Sequence, residues 1–178
     1  MNPFKLTLIT IFMSLTTATV FAADNWKETL RKELPLLGHR NWIVVADAAY
    51  PLQTAPGIET ICADADQLTV VKEVLAELAK TRHVQPNIMT DAEMKFVAEK
   101  NAPGIGAYRD GLAQVLAGRA AQVLPHEQII GQLDTAGKTF KVLIIKTPLT
   151  IPYTSVFFQL ECGYWNADSE AELRQAMK

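Results

Sequence analysis

Three short stretches of the chain place groups able to move protons or grip hydroxyls beside apolar runs. His39 stands just before Trp42-Ile43-Val44-Val45-Ala46, and Asp47 follows that run. His126 opens His126-Glu127-Gln128 behind Pro125, and Lys146-Thr147 closes a second apolar run, followed by Pro152-Tyr153-Thr154-Ser155. Loops at strand ends are where open α/β sheets usually carry function. An imidazole has an unperturbed pKa of about 6.5, so both its forms are available near neutrality. Asp47 can accept hydrogen bonds, Lys146 can donate them, and the hydroxyls of Tyr153, Thr154 and Ser155 can do both. Taken singly, each residue also has a plain role. A lone histidine often serves structure, an Asp after a strand often caps a turn, Tyr153 could anchor a loop, and Lys146 could be a solvated charge. His83 lies past a helix end, where a favourable dipole contact suffices, so it is assigned no catalysis. Seven residues intervene between His39 and Asp47, parting their backbones by more than about 20 Å along a strand. Contact between those two side chains therefore needs bent ends or a neighbouring chain.

Other chemistries lack their signatures. The sequence has no Gly-x-Gly-x-x-Gly loop, P-loop or Gly-x-Ser-x-Gly elbow, and Pro103-Gly104-Ile105-Gly106 has no strand before it. There is no His-x-x-x-His or Cys-x-x-Cys pair. A metal held by His39, Asp47 and His126 is an alternative that nothing demands, and no cofactor is implied. Cys62 and Cys162 are either one long-range disulfide or two separate buried thiols; burial tendency favours the thiols.

The elements that must position these groups alternate between helix and strand, which argues for a single α/β domain. Asp24 can cap a helix to about Leu37, with Pro35 kinking it and Gly38 stopping it. Residues 42–46 read as a strand covered on both faces, and 58–63 as another. Asp64 or Asp66 caps a helix over 67–80, with Leu68, Val71, Leu75 and Leu78 on its core stripe. After a brief extended piece at 87–89, Thr90-Asp91-Ala92-Glu93 has the capping-box form, predicting a helix to about Lys100. Further helices are expected over 105–116, 126–133 and 168–177, an extended piece at 122–124, and strands over 139–146 and 155–160.

Residues 1–22 read as a secretory signal. Lys5 gives the positive start, an apolar stretch follows, and Val20 and Ala22 fit cleavage after Ala22. The apolar stretch is short and Thr-rich for a membrane span. Residues 23–178 then form the mature domain, secreted or periplasmic. Loss of Lys5 takes the formal charge from −2 to −3. A mildly acidic chain without charge blocks is poorly suited to nucleic acid or to an anionic membrane.

Taken together, the clusters resemble the RbsD/FucU family of ribose pyranases and fucose mutarotases. Its pattern of Leu-Gly-His, a buried strand and Asp-Ala-x-x-Pro is matched by Leu37-Gly38-His39, residues 42–46 and Asp47-Ala48-Ala49-Tyr50-Pro51. Its His-Glu-Gln is matched by His126-Glu127-Gln128, and its basic strand end and Pro-Tyr-x-Asn by Lys146 and Pro152-Tyr153-Thr154-Ser155. The resemblance implies a three-layer αβα domain with a mostly parallel central sheet. It implies interconversion of monosaccharide ring forms without a cofactor, in a homo-oligomer whose sites draw on two subunits. His39 would be the catalytic acid/base, while Asp47, His126, Lys146, Tyr153, Thr154 and Ser155 would hold the sugar. The chain departs from the pattern at Ser155, where the family has Asn, and at Pro148-Leu149, where it has Gly-Glu. Opening a cyclic sugar removes a proton from the anomeric hydroxyl and delivers one to the ring oxygen, which a positioned imidazole can do. The alternatives are a non-catalytic sugar-binding module of the same fold and a metal-dependent envelope enzyme.

Overall fold

The computed structural model describes residues 26–178. The reading of residues 1–22 as a signal, and Asp24 as a helix cap, lie outside the described residues.

Six strands form one sheet in the order β2-β5-β1-β6-β3-β4. They are β1 (Trp42–Ala46), β2 (Ile58–Cys62), β3 (Val84–Asp91), β4 (Ala121–Leu124), β5 (Val142–Lys146) and β6 (Val156–Cys162). β5 pairs in parallel with β1 and β2, and β3 with β4, while β6 runs antiparallel between β1 and β3. Five strands therefore share one direction, as the mostly parallel expectation required. The unbroken apolar runs are explained by cover on both faces. Ile43 and Val45 pack into one cluster with the helices α1 (Trp26–Glu33), α2 (Gln67–Leu78) and α3 (Ile105–Val115). Trp42, Val44 and Ala46, on the opposite face by the strand's period of two, pack with α4 (His126–Gly137) through Ile129 and Leu133. This is the three-layer αβα arrangement. A last helix, α5 (Ala167–Ala176), buries none of its residues.

The expected helix from Thr90 is the main difference. β3 continues to Asp91, because Thr90 and Asp91 pair with Val123 and Leu124 of β4. Only a short 3₁₀ turn, Ala92–Phe96, follows. Sheet pairing outcompetes a local cap, and Glu93 is used elsewhere. α4 runs longer than expected, and β5 starts at Val142 because the N–H groups of Thr139 and Phe140 still bond to Ala136. Gly57 shows why chain entry to β2 is tight: its N–H donates to the Gly137 carbonyl, and a side chain there would run into that oxygen and the Phe140 carbonyl. Both cysteines are free thiols. Cys62 ends β2 and Cys162 ends the oppositely directed β6, so they lie at opposite edges of the sheet; Cys62 is exposed rather than buried.

Candidate active site

The carboxyl ends of β1, β3, β4 and β5 and the start of β6 meet at one sheet edge, as their shared and opposed directions require. Asp47 leaves β1 there, Asp91 ends β3, His126 begins α4 two residues after β4, Lys146 ends β5, and Tyr153 to Ser155 lead into β6. A cavity of about 730 Å³ opens at this edge, lined among others by Asp47, Tyr50, Gln53, His126, Ile151 and Tyr153. Three of the residues singled out in the sequence thus face one hollow.

His126 is held from two sides by one segment. Its backbone N–H donates to both carboxylate oxygens of Glu93, each at 3.0 Å. Glu93 supplies the helix cap that Pro125, at the N-cap position, cannot. The ring Nδ1 lies 3.1 Å from Asp91 Oδ1. That is ion-pair distance, but the approach is off the line of a good hydrogen bond, and among the described residues neither carboxylate oxygen has another partner. The Asp91 side chain is fully buried. Burial pushes its carboxyl up to about 6, against the opposing pull of His126; Glu93 and Asp47 push the same way as burial. The ring of Tyr153 stands edge-on to the His126 ring, with centroids 5.6 Å apart and planes at 87°.

Tyr153 carries a left-handed backbone, φ 57°, which is costly for a non-glycine residue. A buried network holds it. The next carbonyl, of Thr154, accepts from Gln67 Nε2 at 2.5 Å and from the Tyr108 hydroxyl at 2.7 Å. The Thr154 hydroxyl donates to the Ile151 carbonyl, and Gln67 Oε1 accepts from the Thr147 hydroxyl. Thr154 and Ser155 are buried and lie behind the cavity wall rather than in it. Burial raises the Tyr108 hydroxyl above the ordinary phenol range, and the same holds for Tyr50, where Asp134, Asp91 and Asp47 add to the effect. Asp47 accepts the Ala49 N–H through Oδ1 at 2.8 Å, a turn that fixes its carboxylate at the rim. Lys146 does not line the cavity. Its Nζ donates to the Tyr50 carbonyl at 2.6 Å, bracing the 47–51 loop, and it lines a separate groove with Cys62 and Asp64.

His39 is exposed at the other edge of the sheet, before β1. It lines a groove of about 690 Å³ with Arg40, Trp42, Gln128 and Phe140, among others. Glu127 borders both this groove and the cavity, so the flank of α4 connects them. The metal set of His39, Asp47 and His126 is not assembled, and among the described residues no three His, Cys, Asp or Glu side chains are placed to hold a metal ion. Among the described residues no helix is long and apolar enough to cross a membrane. Asp91, Glu93, Tyr50, Gln67 and Tyr108 were not picked out from the sequence as site residues. The one available signal was Asp91 closing an apolar stretch, and the capping-box pattern hid it.

A model of the RbsD / FucU transport protein family matches residues 26–163, most of the chain. The chain belongs to this family. The RbsD/FucU fold is also that of Bacillus subtilis RbsD complexed with D-ribose, which is 22% identical at a TM-score of 0.50, over 75% of this chain and 91% of that one. FucU from Bifidobacterium longum is 15% identical at a TM-score of 0.50, over 75% of this chain and 94% of that one. At these identities the likeness is one of fold. No curated protein matches the chain. The RbsD/FucU match ends at residue 163, and α5 lies beyond it.

Proposed function

We propose that this protein is an exported, cofactor-free mutarotase or pyranase that interconverts the ring forms of a monosaccharide. The observation that carries this reading is the cavity at the carboxyl edge of the sheet, where a buried carboxylate backs the imidazole of His126, and Asp47 and Tyr153 flank it. Its volume is in the range of small-molecule pockets. Family membership supports the substrate class, and the D-ribose bound by the Bacillus subtilis relative is consistent with it. Asp47 accepts sugar hydroxyls, and Tyr153 covers an apolar ring face and offers its own hydroxyl. His126 is the imidazole supplied within the protomer. His39, exposed at the far edge, reaches the cavity of a second copy in a homo-oligomer and serves there as acid/base. One group takes the anomeric proton and the other protonates the ring oxygen; closure reverses both steps.

Saturation-transfer NMR on a panel of pentoses and 6-deoxyhexoses tests this. The expected outcome is faster anomer or ring-form exchange for at least one sugar, reduced about 10²-fold or more in His39→Ala. A second reading, a sugar-binding module without catalysis, is favoured by Ser155, which is buried and puts no amide into the cavity. Saturable binding with exchange at the uncatalysed rate would establish that reading instead.

A further inference from the structure

We propose that Asp91 is the positioning residue for His126, fixing the ring so that Nδ1 carries the proton and Nε2 faces the cavity as a base. This rests on the reading of the cavity as a mutarotase site, which it deepens by one residue. Asp91 is the terminal residue of β3, locked in the sheet opposite Leu124. Its side chain is fully buried, yet among the described residues neither carboxylate oxygen has a hydrogen-bond partner, and Oδ1 alone lies at ion-pair distance from the His126 ring. Buried carboxylates normally collect several hydrogen bonds, and a bare one needs an explanation. Among the described residues the one titratable group at ion-pair distance from it is Nδ1 of His126, 3.1 Å away though off the line of a good hydrogen bond, and itself buried without another partner. Two residues on, Glu93 grips the backbone N–H of the same histidine. One short segment therefore controls both the main chain and the ring of His126.

A carboxylate on Nδ1 selects the neutral tautomer with the proton on Nδ1, leaving the Nε2 lone pair free. When Nε2 takes the anomeric proton, the imidazolium formed faces a carboxylate across 3.1 Å of buried space, where their attraction is strong. The charged and titratable groups around Asp91 are His126 on α4, Glu93 on the 3₁₀ turn and Asp47 after β1, with the Tyr50 and Tyr108 hydroxyls also within its field. Only His126 is a cation source among them. The proton moves from sugar hydroxyl to imidazole and back, and no other reactant is needed.

The experiment reads the ring directly. Long-range proton–nitrogen NMR of the sugar-free protein assigns the His126 tautomer, and the same spectrum is taken for Asp91→Asn, a substitution of equal size. The expected result is a dominant Nδ1-protonated form in the native protein and its loss in Asp91→Asn, with sugar exchange slowed about 10²-fold or more. A native ring protonated mainly on Nε2, or a tautomer ratio unchanged by Asp91→Asn, would overturn the assignment whatever the activity. A native protein that obeys the tautomer prediction but accelerates no sugar's exchange would uphold the positioning of His126 and overturn the mutarotase reading instead. Because the native spectrum decides the first question, the test does not depend on the variant folding.

Discussion

Asp91 is held at a cost to the fold. Its carboxyl titrates near 6 when folded, against 3.8 as a free group, and burial is the first cause. Between those values the folded state binds more protons than the unfolded one, so Asp91 makes stability fall as pH rises from about 4 to about 6. Below that window the carboxyl is protonated in both states and nothing is lost. Above it the penalty is complete, on the order of 2–3 kcal/mol for a shift of about two pKa units. Asp91→Asn removes the charge and keeps the shape. Urea unfolding should find the variant about 1–3 kcal/mol more stable than the native protein at pH 8, the gap closing toward pH 4. A variant less stable than the native protein at pH 8 would mean that the pairing with His126 outweighs desolvation. A side chain that weakens the fold and is nonetheless aimed at a cavity histidine is the pattern expected of a functional site rather than of a structural ion pair.

The start of α4 shows how one element's end is fixed by another. Pro125 occupies its N-cap and makes no side-chain cap hydrogen bond. The Glu93 carboxylate, placed by the turn after β3, accepts the His126 N–H and lies at the positive end of the helix dipole. Glu93→Ala should cost about 1–2 kcal/mol in thermal or urea unfolding, the usual range for a lost cap. It should also broaden the His126 ring signals, since the backbone carrying that ring is no longer held. Unchanged stability with sharp His126 signals would show that water replaces the cap at no cost. The same residues explain one limit of the sequence. Thr90-Asp91-Ala92-Glu93 satisfies the local rule for a helix start, and a local rule cannot see that β4 and β6 lie on either side of Thr90. The strands at 42–46 and 142–146 were legible because both faces of each are buried, so no alternation had to be guessed. His126 and Tyr153 were legible as chemistry; their backing by Asp91, Gln67 and Tyr108 was not, because those partners are up to 87 residues away in sequence.

At the scale of the whole molecule, the separation of His39 from Asp47 was readable from the strand between them, and the sheet bears it out by placing them at opposite edges. Neither can bend to the other, because all five residues between the strand's ends are buried and paired. If both histidines serve one reaction, they must come from different protomers, and that is open to a decisive mixing experiment. His39→Ala subunits keep an intact cavity, and His126→Ala subunits keep an intact His39. Each variant alone should be inactive. Co-expressed in equal amounts, they should assemble some interfaces where a good cavity meets a good His39, about a quarter of all interfaces if assembly is random and head-to-tail. Exchange activity near that fraction of the native value is the expected result. A mixture as inactive as its parts, with mixed assembly confirmed by mass, would show that the two imidazoles do not meet.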